Sequence, residues 1–183
     1  MALSDDALVI PGIGYVYDAP VGTTKPANPL NPAVPWVDNG HSSEDGLKIN
    51  FDISKTKRKT WRARAGVRVS VDDVSLTLGW TALQLDNISL AQYFGGGDIS
   101  GPGVFGVIKS PVPVERALFI RLVDASKEVD LYVAKCAITA AGEVTASPED
   151  FAGFQLEAEV LDHAAAAHLM QWLAPNLGTP AGP

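Results

Sequence analysis

Cysteine is nearly absent from this sequence: Cys136 stands alone among 183 residues. A lone cysteine closes no intramolecular disulfide, and the apolar strand pattern around it suits a reduced core thiol better than a nucleophile. Long apolar runs are missing too, since none approaches the ~18 residues of a membrane span. Asp5 and Asp6 stand where a signal peptide would carry Lys or Arg, so the expectation is a chain made in a cytoplasm and not exported by the ordinary route. Basic residues are scarce, 14 against 21 acidic, for a net charge of −7. A surface of that sign does not wrap nucleic acid, because phosphate binding needs positive faces. With 46% hydrophobic and 19% charged residues, wholesale disorder is excluded and one domain-sized core is expected.

The residue sets of common enzymes are lacking as well. Gly12-x-Gly14 has no third glycine, and Tyr15 to Tyr17 look like strand rather than the helix a dinucleotide loop requires. Gly95-Gly96-Gly97 and Gly101-Pro102-Gly103 are not followed by Lys-Ser/Thr, so they read as a helix stop and a connector. Of the three histidines, His163 and His168 are five apart and His41 is isolated; no cysteine or carboxylate stands at zinc-ligand spacing beside them. Asp72-Asp73 reads as a solvated turn after a strand, and His41-Ser42-Ser43-Glu44-Asp45 cannot form a triad from five consecutive loop residues. No enzyme activity, cofactor or metal is expected.

What is present is a β pattern. A first strand around Val9 to Tyr17 is followed by a stretch from Pro20 to Pro35 dense in Pro, Gly and Asn, an extended arm that must lie on this subunit or on a neighbour. The expected division is 1–45 for this strand and arm, 46–175 for the main domain including the hairpin, and 176–183 for a flexible tail, one domain overall. From Leu47 to Ile53, and again from Trp61 to Val71, apolar residues alternate with polar ones, which predicts a hairpin over 46–71. Lys55, Lys57, Arg58 and Lys59 would form its tip, with Arg62, Arg64 and Arg68 on its solvent face and Trp61 packed on its apolar face. Further strands are expected at Val74–Trp80, Val104–Ile108, Ala117–Val123, Val129–Ile138 and Phe154–Leu161. Asp86 or Asn87 can cap one short helix that Gly95 to Gly97 end, while HAAAAHLMQWLA has helical propensity. The fold class is therefore mainly β, a sandwich or barrel of antiparallel strands with a flanking α-helix.

The stretch KTKRKTWRAR, residues 55 to 64, holds six of the basic residues and leaves 8 basic against 21 acidic elsewhere. Such segregation has three readings. It could grip single-stranded nucleic acid, with cations on phosphates and Trp61 on a base. It could be a solvated tip whose like charges prevent aggregation. It could dock on the acidic surface of another copy of the chain, giving head-to-tail contacts that build rings or tubes. The last suits the acidic background best.

GIGYVYDAPVGTTKP, PWVDNGHSSEDGLKINFDI and the hairpin after them resemble, over roughly residues 8 to 95, the major tail protein of long non-contractile-tailed bacteriophages, particularly those infecting actinobacteria. FAGFQLEAEVL, residues 151 to 161, is similar in pattern to that family's final sheet strand. The resemblance implies a virion structural protein, with six copies in a ring and rings stacked into a tube that passes the genome and the tape measure protein and joins tail-end proteins. It also implies that the long hairpin and the arm contact neighbouring subunits, a role carried by position onto Lys55, Lys57, Arg58, Lys59, Trp61, Arg62 and Arg64. A conduit that let double-stranded DNA pass would be lined by acidic or neutral side chains. Asp86, Asp98, Glu115, Asp124, Glu128, Glu157 and Glu159 are the candidates, being acids on or beside expected strands. A head decoration or tail-terminator protein, or a nucleic-acid-binding module, is the alternative.

Overall fold

The computed structural model describes residues 9–62, 65–124, 127–148 and 150–174. Asp5, Asp6, Ala63, Arg64, the Ala125-Ser126 connector and the tail 176–183 lie outside them. Eleven strands and one helix follow in the order β1 (Ile13–Ala19), β2 (Val37–Asp38), β3 (Lys48–Arg58), β4 (Arg68–Ala82), α1 (Asn87–Phe94), β5 (Gly97–Gly101), β6 (Val104–Val107), β7 (Val114–Asp124), β8 (Lys127–Ala140), β9 (Thr145–Ser147), β10 (Asp150–Val160) and β11 (Gln171–Leu173). Nine of the strands form one antiparallel sheet along the path β2-β1-β7-β8-β10-β4-β3, to which β11 is attached through β8 and β9 through β10. A separate hairpin joins β5 to β6.

The core follows from alternation. On β10, Phe154, Leu156, Ala158 and Val160 are buried, and the residues between them point to solvent. Register places Leu156 beside Trp80 and Ala158 beside Leu78 and Ile138, so three strands present their apolar residues on one face. The sheet curls until Val16 of β1 joins the same cluster as Leu78 and Trp80 of β4. The result is mainly β with one flanking helix, as expected, but the edges do not meet and the barrel stays open. Cys136 is buried in this core; its thiol donates to the Arg116 carbonyl at 3.3 Å, and burial pushes its pKa up to about 12.

Strand β7 is buried on both sides. Leu118 and Ile120 enter the main cluster, while Ala117 and Phe119 lie under the arm with Ala19 and Trp36. Trp36 packs edge-on against Phe119 and Tyr132, and its Nε1 donates to the Thr24 carbonyl at 3.2 Å. The Tyr132 hydroxyl donates to Thr23 O at 2.7 Å. The arm between β1 and β2 is thus held against its own sheet. Aromatic anchors with satisfied polar ends suit a segment that has no ladder of its own.

Helix α1 is bounded by local chemistry. The Asp86 side chain accepts from the Ser89 amide at 2.8 Å, and Gly95 closes the helix at φ 66°, a left-handed conformation that favours glycine. A Cβ at Gly95 would also come within 2.7 Å of the Val112 carbonyl.

Three expectations are corrected. The HAAAAHLMQWLA segment forms turns and then β11 rather than a helix, because Gln171–Leu173 finds an open stretch of β8 edge at Asp130–Tyr132. Asp72-Asp73 is no turn: β4 runs through it as one fifteen-residue strand. The ladder pairs Ser54 with Asp73 and Lys55 with Val71, which makes Asp72 the extra residue of a β-bulge. The third concerns the hairpin tip.

Candidate assembly surface

Strands β3 and β4 pair over the whole length of β3, from Lys48 opposite Gly79 to Arg58 opposite Arg68. Only the inner part belongs to the body: Leu76 is the outermost buried residue of β4. Eight residues, Arg68 to Ser75, project beyond it, roughly 25 Å of ribbon at ~3.3 Å per residue. The bulge at Asp72 decides what this ribbon presents. By shifting parity once, it sets Val69 and Val71 on the same face as Val74 and Leu76, opposite Lys57, Lys55, Ile53 and Phe51. The β4 side of one ribbon face is therefore apolar along its length, and no described residue covers it. Phe51 is 57% exposed, Val69 53% and Val71 58%. Lys55 and Lys57 stand on that same face.

The other face carries Asn50, Asp52, Ser54, Thr56 and Arg58 against Thr77, Ser75, Asp73, Ser70 and Arg68. Arg58 and Arg68 are directly opposed, a like-charge juxtaposition that costs the isolated hairpin stability. Among the described residues none of Lys55, Lys57, Arg58, Lys59, Arg62 and Arg68 makes an ion pair.

The tip lies further out than the alternation implies. Lys55, Lys57 and Arg58 are ladder residues of β3, and the tip begins at Lys59. β4 starts at Arg68, not at Trp61, so Trp61 and Arg62 belong to the connecting loop; Arg64 lies outside the described residues. Trp61 is fully exposed, which corrects its assignment to a packed face. The reason is geometric: the ribbon has left the core by Ser75, so an apolar side chain at its far end finds no partner in its own subunit.

The acidic candidates do not converge. Asp86 caps α1, and Asp98 lies on the separate β5–β6 hairpin. Glu115 pairs with Lys135 at 3.2 Å. Asp124 accepts the Ile10 amide at 2.9 Å, and Glu128 pairs with the buried Arg121, which also faces Asp130 at 3.5 Å. Glu157 and Glu159 alone share one exposed strand face, on β10 opposite the core, flanked in register by Gly79, Thr77, Thr139 and Ala137. A further acid, Asp18, is buried beside Arg116, with Nε and Oδ2 3.2 Å apart. Burial raises its pKa to about 6, opposed by the guanidinium.

Sequence reasoning found the cations of the ribbon and missed its apolar half, Phe51, Val69 and Val71 as exposed residues. Alternation marks which residues share a face; only the position of the core tells which faces are covered. No group of three or more His, Cys, Asp or Glu side chains suited to a metal occurs among the described residues.

Comparison with known proteins shows the family of the chain. Over 177 residues the chain is 25% identical to the Major tail protein Gp23 of Mycobacterium phage L5, covering 89% of each chain, and equally to the Major tail protein Gp23 of Mycobacterium phage D29. The family described as "Phage tail tube protein" matches residues 1–183. With the match running over the whole chain, this is a structural phage tail protein belonging to the phage tail tube family.

Proposed function

We propose that the chain assembles into rings of six copies that stack into the tail tube, the conduit through which the genome leaves the virion, and that the β3–β4 ribbon makes the contacts between copies. It would be synthesised and assembled in the host cytoplasm, around the tape measure protein and against the tail-end proteins. The carrying observation is the uncovered ribbon: a face roughly 25 Å long whose β4 side is apolar and whose β3 side carries Phe51, Ile53 and the unpaired Lys55 and Lys57. A monomer in water gains nothing from such a surface, which in a soluble protein marks an interaction site and is otherwise an aggregation hazard. The rest of the chain is strongly acidic and offers the complementary field.

In this reading Glu157 and Glu159, ion-pair-free on an open sheet face, are the best placed of the acids to face the bore. They would repel phosphates and let double-stranded DNA slide without binding. A bore lined by Lys and Arg would contradict this.

Negative-stain electron microscopy of the purified chain tests the assembly. Stacked rings are expected from the unaltered chain, and their loss after Lys57→Glu, Arg58→Glu and Lys59→Glu are combined. Tubes that form unchanged from this variant would remove the ribbon from the assembly contacts.

One observation favours a second reading. Trp61 stands exposed between Lys59 and Arg62, as a base-stacking residue would in a single-strand binder. That reading requires oligonucleotide affinity falling steeply with salt, and it gives no role to Phe51, Val69 and Val71.

A further inference from the structure

The proposed assembly leaves open what receives the ribbon's tip. We infer that its receptor is the cleft between β1 and β3 of a second copy, where Trp61 inserts as an apolar plug and the flanking cations meet an acidic rim. This inference rests on the tube reading and names the partner surface.

The cleft lies where the curled sheet fails to close, between the edge of β1 and the base of β3, and has a volume of about 930 Å³. Its wall on the core side is apolar, formed by Val16, Trp80, Ile120 and Leu122, and the half-exposed Trp172 also lines it. Its rim is the loop from Asp38 to Leu47, which brings Asp38, Glu44 and Asp45 to the opening together with His41; among the described residues no Lys or Arg lines it. Apart from these groups, Tyr15 on β1 is the other titratable residue at the cleft among the described residues. An apolar cavity with a few charged groups at its mouth is the usual form of a site that takes a side-chain anchor.

The tip is its complement in shape and charge. Trp61 is the one fully exposed tryptophan among the described residues, and Trp and Arg are the residue types that most often carry interface affinity. Lys57, Arg58, Lys59 and Arg62 surround it without an acidic residue from Lys55 to Arg62. Three acids on the rim would face at least that many cations on the plug. Such pairing favours fast, oriented encounter and penalises approach of two tips or two rims.

The plug cannot be the chain's own. Ile49 lines the cleft and Arg58 lies nine residues further along β3, about 30 Å away in an extended strand. Because β3 is paired with β4 throughout, folding the tip back would require opening the ladder. The contact is therefore between copies, and it is heterologous: the tip of one engages the cleft of the next, which leaves that copy's own tip free to continue the series.

Photo-cross-linking in the full-length assembly tests the contact directly. Benzoylphenylalanine replaces Trp61, aromatic for aromatic, and tubes are assembled from equal amounts of unlabelled and ¹⁵N-labelled chains. After irradiation, mass spectrometry is expected to find adducts on the 38–47 loop or on Trp172, about half of them joining a light to a heavy chain. Adducts elsewhere, or joined only within one chain, overturn the inference. A second arm uses charge. Glu44→Lys with Asp45→Lys should raise the concentration needed for assembly at least about tenfold, and adding Lys57→Glu, Arg58→Glu and Lys59→Glu to the same chain should lower it again. Circular dichroism verifies that each variant is folded, and the cross-link does not depend on these substitutions. Normal tubes from the Glu44/Asp45 variant would discard the cleft and leave the tube reading intact, whereas an unaltered chain that stays monomeric at high concentration overturns both.

Discussion

In β10, Leu156, Ala158 and Val160 alternate with Gln155, Glu157 and Glu159 and are buried; in the outer part of β4, Val69 and Val71 alternate with Arg68 and Ser70 and are more than half exposed. The two segments obey the same two-residue period and differ only in what lies across from their apolar face. For β10 it is the curled remainder of its own sheet, with α1 laid over the end. For β4 beyond Ser75 it is solvent, and in the proposed tube another subunit. Apolar alternation is thus a statement about faces, and exposure of the face is a statement about partners.

The sharpest way to test that contrast is to delete methyl groups from each side. Leu156→Ala removes a side chain that is 1% exposed and leaves a cavity, so urea unfolding should report a loss of about 3 kcal/mol, within the usual 2–5. If Val69→Ala costs as much in the unassembled chain, the ribbon has a hidden partner in its own subunit and the comparison fails.

Protons discriminate the regions next. Asp18 belongs to the body and its carboxyl titrates at about 6 in the fold against 3.8 in the unfolded chain. With the folded pKa raised, the native state takes up a proton first as pH falls. Asp18 therefore adds stability that grows from about pH 6 down to about pH 4, and that contribution is lost as pH rises through 6. The difference corresponds to at most about 3 kcal/mol. Asp18→Asn should flatten this slope in unfolding midpoints measured between pH 4 and pH 7; an unchanged slope would place its origin at other groups, such as Asp130, whose pKa burial also raises.

A smaller effect is expected at Asp86. Its capping bond to Ser89 makes it part of the body's structure, and Asp86→Ala should cost about 1 kcal/mol in thermal or urea unfolding. Smallest of all is Val69→Ala itself, which should change unfolding of the unassembled chain by less than about 0.5 kcal/mol while raising the concentration needed for tube formation. Light scattering against concentration reads the second quantity.

Much of this was legible in the residues. The alternation around Leu156 and Leu78 marked core strands, Asp86 and Gly95 marked the ends of α1, and the density of proline from Pro20 to Pro35 marked an arm without a ladder. Trp61 was misassigned because its neighbours repeat the period of the core strands, although the ribbon carries them out of reach of the core. Asp72-Asp73 looked like a turn because two acids interrupt the pattern; in the fold the interruption is a bulge that restores one apolar face across a change of parity. The 171–173 strand was illegible for a different reason: its ladder partner, Asp130–Tyr132, is about forty residues away in sequence, and helical propensity is a weak prior against an available sheet edge.

By itself, then, the sequence determined the chemistry of each segment: which residues share a face, where helix and arm begin and end, and that the cations are concentrated in one stretch of an acidic chain. These are properties of neighbours along the backbone, set by periods of two, by caps and by proline. Only the tertiary structure decided that the sheet stays open between β1 and β3, that the arm lies on its own subunit, and that the cationic ribbon projects with an uncovered apolar face. Each of those depends on which distant strands pair and where the pairing stops, and the free energy that settles it comes from burying surfaces that local sequence does not reveal.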